Sequence, residues 1–141
     1  METLDGDELR RELSPELGFS RSDREAHVRR VAYISLLLAR NGVISIVALI
    51  SPFQSSREYA RNLIGRFIEV WVSCSLETCR KRDPKGLYKK AEEGRITNFT
   101  GIHDSYEPPT NPEVIIDTEH ENPNLCGRKI MAALTDLGYL D

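Results

Sequence analysis

The sequence has little of three things that would point to particular classes of protein. Its three cysteines, Cys74, Cys79 and Cys126, form neither an even disulfide set nor a CxxC zinc pair, so we expect all three to be reduced. Its longest apolar run, residues 43–50, is far shorter than the roughly 20 residues of a membrane helix. No basic-then-apolar leader opens the chain. We therefore expect a cytoplasmic protein without a membrane partner.

The sequence also lacks an excess of basic residues. Nineteen Lys and Arg against 22 Asp and Glu give a formal net charge of -3, which leaves no electrostatic footprint for nucleic acid. We expect no nucleic-acid partner, and any bound anion must meet a local basic cluster. A chain of 141 residues suits one domain, residues 1–141, with a single core.

Strand-like and helix-like patterns alternate along the chain. The continuous β-branched run "VISIVALI" is typical of a strand that is covered on both faces in a parallel sheet, and "FIEVWV" and "VIID" are further strand candidates. Between them lie helical patterns, of which the longest begins with Ser22 as its N-cap and ends at Asn41 and Gly42. This alternation predicts an α/β fold with a parallel sheet flanked by helices.

Ligands of such sheets collect beyond the carboxyl ends of the strands. Asp5 and Asp7 follow the first strand, where a carboxylate could ligate Mg²⁺ or take a proton from a substrate hydroxyl; the alternative is an Asx turn. Ser51 follows the buried-strand candidate, where its hydroxyl could reach a ligand or cap the next helix.

Two further groups of residues are typical of anion and nucleotide binding. Arg10 and Arg24 could pair with a phosphate or sulfate, or could be surface charges, and Phe19 between them is either a core anchor or a plate for a stacked base. The segment from residue 81 to 104 mixes Lys and Arg with Gly, Tyr88 and Phe99, as in a lid over an anionic nucleotide, or is a solvated loop.

Five stretches of the chain resemble one family. They are "LDGDELR", "LGFSRSDREAHVRRV", "NGVISIVALISPF", "RDPKGLYKKAEEGRITNFTGI" and "YEPPTNPEV". Their order and spacing are similar to those of adenylylsulfate kinases, which phosphorylate the 3'-hydroxyl of adenosine 5'-phosphosulfate (APS) to make PAPS in sulfate assimilation. The resemblance covers essentially the whole chain.

The resemblance implies a P-loop nucleoside-triphosphate hydrolase-like kinase fold in which ATP with Mg²⁺ donates its γ-phosphoryl group. It places Asp5 and Asp7 near Mg²⁺ and the accepting hydroxyl. The positions that it implies for binding APS are Arg10, Phe19, Arg24, His27, Ile50, Ser51, Lys89, Phe99 and Gly101.

At Ser51 and His27 the chemistry of the side chain adds to what the resemblance implies. Ser51 matches a serine described as a phosphoserine intermediate, but phosphoryl transfer is mainly positioning and charge stabilisation, so we expect direct attack by the 3'-hydroxyl. His27 stands where the family usually has asparagine. Its imidazole would titrate near pH 6.5 and make APS binding depend on pH.

The sequence contains no GxxxxGK[ST] motif, because none of its nine glycines is followed by lysine. In the family that motif precedes "LDGD", so the resemblance implies a fold without its first strand and P-loop. We therefore expect the chain alone to be marginally stable or oligomeric, and weak as a kinase. A misplaced start, a truncation and a separate chain that supplies the segment are the alternative explanations. A homodimer is an alternative for the assembly of the chain. A further alternative is a non-catalytic module that binds APS or PAPS.

Overall fold

The computed structural model describes residues 1–140, which divide into two compact units. The first unit comprises Met1–Phe67 and Thr97–Glu107, and the second comprises Ile68–Ile96 and Pro108–Asp141. Each unit contains two parallel strands with helices between them along the chain. The α/β fold that the sequence predicts is therefore confirmed. The strands form two separate pairs within the described residues, whereas the sequence predicted one sheet.

The elements of the first unit are β1 (Glu2–Asp5), α1 (Gly6–Leu13), α2 (Arg21–Arg40), β2 (Ser45–Ala48) and α3 (Gln54–Ile64). β1 and β2 are parallel, with Asp5 opposite Ala48 at their carboxyl ends. Helix α2 packs against α3 and β2. Its buried side chains Val28, Val31 and Ala32 form the core of this unit with residues that include Leu4 and Phe53.

The elements of the second unit are β3 (Val70–Ser73), α4 (Leu76–Arg82), α5 (Leu87–Glu92), β4 (Val114–Asp117) and α6 (Pro123–Asp136). β3 and β4 are parallel, with Ser73 opposite Asp117. The alternate residues Val114 and Ile116 of β4 are buried with Cys126 of α6. This alternation places one face of the strand against the helix.

The N-cap of α2 is Ser20, not Ser22 as the sequence predicted. Ser20 has extended backbone angles, and its hydroxyl accepts a hydrogen bond from the Asp23 N–H at 3.2 Å. Ser22 lies inside the first turn, where its backbone is already helical. The end of the helix at Asn41 agrees with the prediction.

The prediction that residues 43–50 form a strand covered on both faces is wrong. Only Ser45–Ala48 are extended and paired, and Ile46 and Val47 remain 49% and 39% exposed. These two neighbours point to opposite faces of the strand. The β-branched run therefore predicts the strand correctly. It does not determine whether other elements cover the two faces, since covering layers come from distant parts of the chain.

All three cysteines are free, as expected. Within residues 1–140, the helices lack the combination of length and apolar content that crossing a bilayer requires.

Two helical glycines differ in the space around them. A Cβ atom on Gly6 would lie 2.8 Å from the carbonyl oxygen of Ala48 and 2.9 Å from a methyl carbon of Leu49. A Cβ atom on Gly127, within α6, would meet nothing within 4 Å. The start of α1 therefore needs glycine to approach the end of β2.

We predict opposite effects for alanine at these two glycines. Gly6→Ala should lower the free energy of unfolding by about 1–3 kcal/mol, because a backbone oxygen cannot move aside cheaply. The matched control Gly127→Ala should raise it by about 0.5–1 kcal/mol, because alanine loses less entropy in a helix. Urea unfolding followed by circular dichroism measures both. Equal effects of the two substitutions would contradict the close approach.

Candidate functional site

Asp5 ends β1 and caps α1. Its Oδ1 accepts hydrogen bonds from the N–H groups of Asp7 and Glu8, each at 3.0 Å. The Asx-type arrangement that the sequence left open is therefore present. It also orients the exposed carboxyl group of Asp5 at the carboxyl end of the first unit's strands, and Asp7 is exposed two residues later.

Arg10, Phe19 and Arg24 form the centre of the candidate site. The guanidinium carbon of Arg10 lies 4.9 Å from the centroid of the Phe19 ring, and that of Arg24 lies 5.4 Å from it. The ring itself is 52% exposed. Phe19 is therefore not a core anchor but an accessible ring with two cations beside it.

Backbone carbonyls hold both arginines in place. Arg10 Nη1 donates to Gly18 O at 2.7 Å, which ties α1 to the turn before Phe19. Arg24 is buried, with Nε donating to Phe19 O at 3.0 Å and Nη2 donating to Asn98 O at 2.7 Å. Arg24 thus joins the turn at Phe19 to Asn98, which follows Arg24 by 74 positions in the sequence.

The two arginines raise the positive potential at this point. Burial lowers the pKa of Arg24, and the nearby charge of Arg10 lowers it further, while Asp104 opposes these effects. Burial also lowers the pKa of Arg10, and Asp23 opposes that shift. Both groups stay protonated at neutral pH, so their charges repel each other and an anion between them would relieve the repulsion.

His27 lies behind this cluster. The side chain is 3% exposed, and its Nδ1 is 2.9 Å from Ser14 Oγ. Burial, followed by the charges of Arg10 and Arg30, lowers the pKa of His27 to about 4. The expected titration near pH 6.5 is therefore corrected: the imidazole is neutral at physiological pH. Its Nε2 has no hydrogen-bond partner among the described residues.

Arg30 completes the basic cluster on α2. Its Nη1 donates to Leu13 O at 2.9 Å, and its Nη2 bonds the carboxylate of Glu16. Arg29, the next residue on the helix, is exposed and stacks on Tyr59 with 4.2 Å from its guanidinium carbon to the ring centroid. Arg29 is therefore exposed and paired with Tyr59, whereas Arg24 is buried.

Phe99 lies on the segment Thr97–Glu107, next to the carbonyl that Arg24 holds. Its own carbonyl accepts hydrogen bonds from the N–H groups of residues 102, 103 and 104. Asn98 and Gly101 have positive φ values of 56° and 89°. Gly101 suits this tight turn because glycine adopts that conformation without steric cost.

Ile50 and Ser51 follow β2 at the carboxyl end of the strand. Ile50 is 61% exposed, and Ser51 has a φ of 39°, which is rare for a residue with a Cβ atom. Ser51 does not cap α3: the N-cap is Phe53, and the carboxylate of Glu107 accepts the Gln54 N–H instead. The alternative that the Ser51 hydroxyl caps the helix is therefore wrong.

Lys89 belongs to the second unit, on α5, where its backbone N–H donates to the carboxylate of Asp83. The predicted lid, residues 81–104, is therefore divided: its first part lies in the second unit and residues 97–104 lie in the first.

The second unit contains an open cleft of about 780 Å³ beyond the carboxyl end of β4. Ile116, Pro123 and Ile130 supply apolar lining, and Arg82 and Thr118 supply polar groups. Arg82 Nη2 donates to Thr118 O at 2.7 Å, which fixes the guanidinium at the cleft.

The described residues contain no preformed metal site. Across residues 1–140, no three side chains of His, Cys, Asp or Glu lie close enough together to hold a metal ion. Mg²⁺ commonly takes only one or two protein carboxylates and completes its shell with water and substrate phosphates. Asp5 and Asp7 thus fit a magnesium ion that arrives with a phosphate.

Sequence reasoning missed Ser14, Arg30, Arg57 and Glu107, which hold the site together. Arg57 and Glu107 interact across fifty residues of sequence. No local pattern signals such a pair. Arg30 could have been recognised from its place three residues after His27, one helical turn away.

Comparison with known proteins identifies the chain's relatives. The family model described as adenylylsulphate kinase matches residues 1–117. Adenylyl-sulfate kinases from Synechococcus sp. (strain JA-3-3Ab) and Picosynechococcus sp. are each 49% identical over 140 residues, which is 99% of this chain and 80% and 79% of theirs. The Mycobacterium tuberculosis APS kinase in complex with AMPPNP and APS superposes with a TM-score of 0.89 at 38% identity, covering 95% of this chain and 79% of that one.

A match of this extent, together with a site that has two cations beside an accessible aromatic ring, shows that the chain belongs to the adenylylsulfate kinase family of phosphotransferases.

Proposed function

We propose that this protein binds APS and transfers the γ-phosphoryl group of ATP to its 3'-hydroxyl, which gives PAPS. The observation that carries the proposal is the Phe19 ring, which is accessible and lies within 5.4 Å of both the Arg10 and the Arg24 guanidinium carbons. An aromatic face suits a purine base, and paired guanidiniums suit a phosphosulfate. APS carries both groups in one small molecule.

Phe99 supports the same substrate. It follows Asn98, whose carbonyl is held by Arg24, so the arginine that would bind the anion also fixes this aromatic residue's backbone. A second aromatic residue near the base would restrict the orientation of the adenine. Gly101, Ile50 and Ser51 are proposed to complete the APS site.

The proposed reaction needs little covalent chemistry from the protein. Asp5 and Asp7 would hold Mg²⁺ with the donor phosphates and orient the 3'-hydroxyl, and the bound metal would neutralise charge on the transferring group. Because Asp5 is fixed by two N–H donors, its carboxylate is oriented before substrate arrives. The 3'-hydroxyl would then attack the γ-phosphorus directly. The bond from phosphorus to the β,γ-bridging oxygen would break, ADP would leave, and the hydroxyl proton would pass to a carboxylate or to water, so Ser51 would carry no phosphoryl group.

The donor nucleotide is proposed to use the second unit. The M. tuberculosis relative binds AMPPNP as well as APS, so that protein holds two nucleotides. The cleft beside Arg82 offers apolar walls for a base and a fixed guanidinium at its edge, although the acidic residues Glu119 and Glu121 also line it.

A second candidate function is binding of APS or PAPS without phosphoryl transfer. The sequence contains no GxxxxGK[ST] motif, and that motif supplies the backbone N–H groups and the lysine that hold β- and γ-phosphates in P-loop kinases. For phosphoryl transfer the partner would then be another chain that carries the motif, since a second copy of this sequence lacks it as well. The protein is proposed to act in the cytoplasm in either case.

A coupled assay with APS and MgATP, run beside calorimetric titration with APS, separates the two functions. PAPS formation supports the kinase. APS binding without PAPS formation supports the binding module. Absence of both in a folded sample would overturn both proposals.

We predict that Arg24→Ala weakens APS binding by about 1.5–3 kcal/mol, or roughly 10- to 150-fold in Kd, because a charge-assisted contact is lost. Arg24→Lys should recover only part of this affinity, since lysine keeps the charge but lacks the planar fork. Arg29→Ala is the matched control on the same helix and should bind APS as the parent chain does. Unchanged affinity in Arg24→Ala, measured by calorimetry, would contradict the assignment.

His27 links stability to pH in a defined direction. Its pKa in the folded chain is about 4, below the unfolded value of about 6.5. Between these values the unfolded chain binds more protons than the folded chain. The contribution of neutral His27 to stability is therefore complete above pH 6.5 and is lost as pH falls towards 4.

We predict that the free energy of unfolding falls by about 2–3 kcal/mol more between pH 7 and pH 4 in the parent chain than in His27→Asn. Asparagine keeps hydrogen-bonding groups but does not titrate. Urea unfolding at intervals of half a pH unit measures the difference between the two curves, which removes the effect of the shared acidic groups. Parallel curves would show that protonation of His27 does not destabilise the folded chain relative to the unfolded chain.

A further inference from the structure

The end of the segment Thr97–Glu107 is fastened to the turn that follows β2. Glu107 donates its N–H to Pro52 O at 2.8 Å, and its Oε2 accepts the Gln54 N–H at 2.6 Å. Arg57 Nη2 donates to Glu107 O at 2.6 Å. Both the backbone and the side chain of Glu107 are thus used in one attachment, which we call the Arg57–Glu107 latch.

Arg57 also holds Ser51. The side chain of Arg57 is buried, and its Nη1 donates to Ser51 O at 2.6 Å. Ser51 has a φ of 39°, a conformation that is strained for a residue with a side chain and persists only where the surroundings enforce it. One guanidinium therefore fixes two neighbouring backbone stretches, the Ser51 turn and the end of the segment.

The other end of the segment is attached to the proposed anion site. Arg24 Nη2 bonds Asn98 O, immediately before Phe99. The segment is therefore held at one end by an arginine of the APS site and at the other by the latch. Arg21 lies beside the latch, with Nη1 3.7 Å from Glu107 Oε1 and its guanidinium carbon 4.2 Å from the centroid of Phe53.

We propose that Arg57 and Glu107 are positioning residues for APS: the latch sets where Phe99 and Ser51 stand, although neither Arg57 nor Glu107 touches the substrate. This inference rests on the proposed function, since it takes APS as the ligand of the Phe19 site. A carboxylate at Glu107 is not required as a charge. What the latch needs from this side chain is an acceptor for the Gln54 N–H.

The test is a set of variants in the full chain, each measured for APS affinity by calorimetry and for unfolding by urea. Glu107→Ala removes the acceptor, and Glu107→Gln retains an acceptor oxygen but not the charge. Glu58→Ala is the matched control, because Glu58 is an exposed acid of α3 that bonds neither Arg57 nor Glu107 and reaches Arg57 only through the Gln54 side chain. Arg57→Lys keeps a charge but cannot reach both carbonyls.

We expect Glu107→Ala and Arg57→Lys to weaken APS binding by about five- to thirtyfold, as the loss of one or two structural hydrogen bonds would do. Glu107→Gln should stay within about twofold of the parent chain, and Glu58→Ala should not change affinity. A role in stability alone would shift urea unfolding and leave the affinity of the folded protein unchanged. That result would overturn the proposal.

Two outcomes separate this inference from the proposed function. If Arg24→Ala weakens APS binding while Glu107→Ala and Arg57→Lys do not, the site is correct and the latch has no positioning role. If the parent chain does not bind APS, the proposed function fails and the latch proposal fails with it. Should Glu107→Ala not fold, the comparison of Arg57→Lys with Glu107→Gln still decides the question.

Discussion

The burial of the Arg24 charge is the constraint on which the first unit depends. A guanidinium removed from water must find hydrogen-bond acceptors, or its burial is costly. Here the acceptors are the carbonyl oxygens of Phe19 and Asn98, which belong to stretches far apart in sequence. Since carbonyls are dipoles and not anions, they satisfy the donors without neutralising the charge. The site is therefore both fixed in shape and ready to attract an anion.

The same device recurs around the unit. Arg10 bonds Gly18 O, Arg30 bonds Leu13 O, and Arg57 bonds Ser51 O and Glu107 O. In each case an arginine on a helix holds the backbone of a loop or, for Arg30, of the end of α1. A planar fork with several donors can span two carbonyls, which lysine cannot do. Loops that would otherwise be mobile are thereby positioned by rigid helices, as binding sites require.

The parts of this structure that sequence could predict are those set by local forces. Strand and helix patterns depend on neighbouring side chains, so the alternation of parallel strands and helices, and the end of α2 at Asn41, were predicted correctly. The N-cap of α2 lies at Ser20, two residues before the predicted Ser22, because the two serines are equally good caps when only the local sequence is considered. The prediction that both faces of β2 are covered was wrong, because burial of a strand face depends on residues distant in sequence and not on the strand's own side chains.

The candidate site shows the same division. Arg10, Phe19 and Arg24 were predicted from residue type and from family resemblance, and the structure brings these three together. The neutral state of His27 was not predictable, because its pKa depends on burial and on the charges of Arg10 and Arg30 in three dimensions. The fifty-residue separation of Arg57 and Glu107 likewise leaves no periodic trace in the sequence.

Two features of the first unit are better explained by binding than by stability. The Phe19 ring is 52% exposed, so it contributes little to a core, yet two arginines are arranged around it. Ser51 occupies a left-handed conformation that glycine would adopt without strain. What serine adds there is a hydroxyl at the carboxyl end of a parallel strand, where α/β folds place their ligands. A chain folded for stability alone would bury the ring and relax the turn.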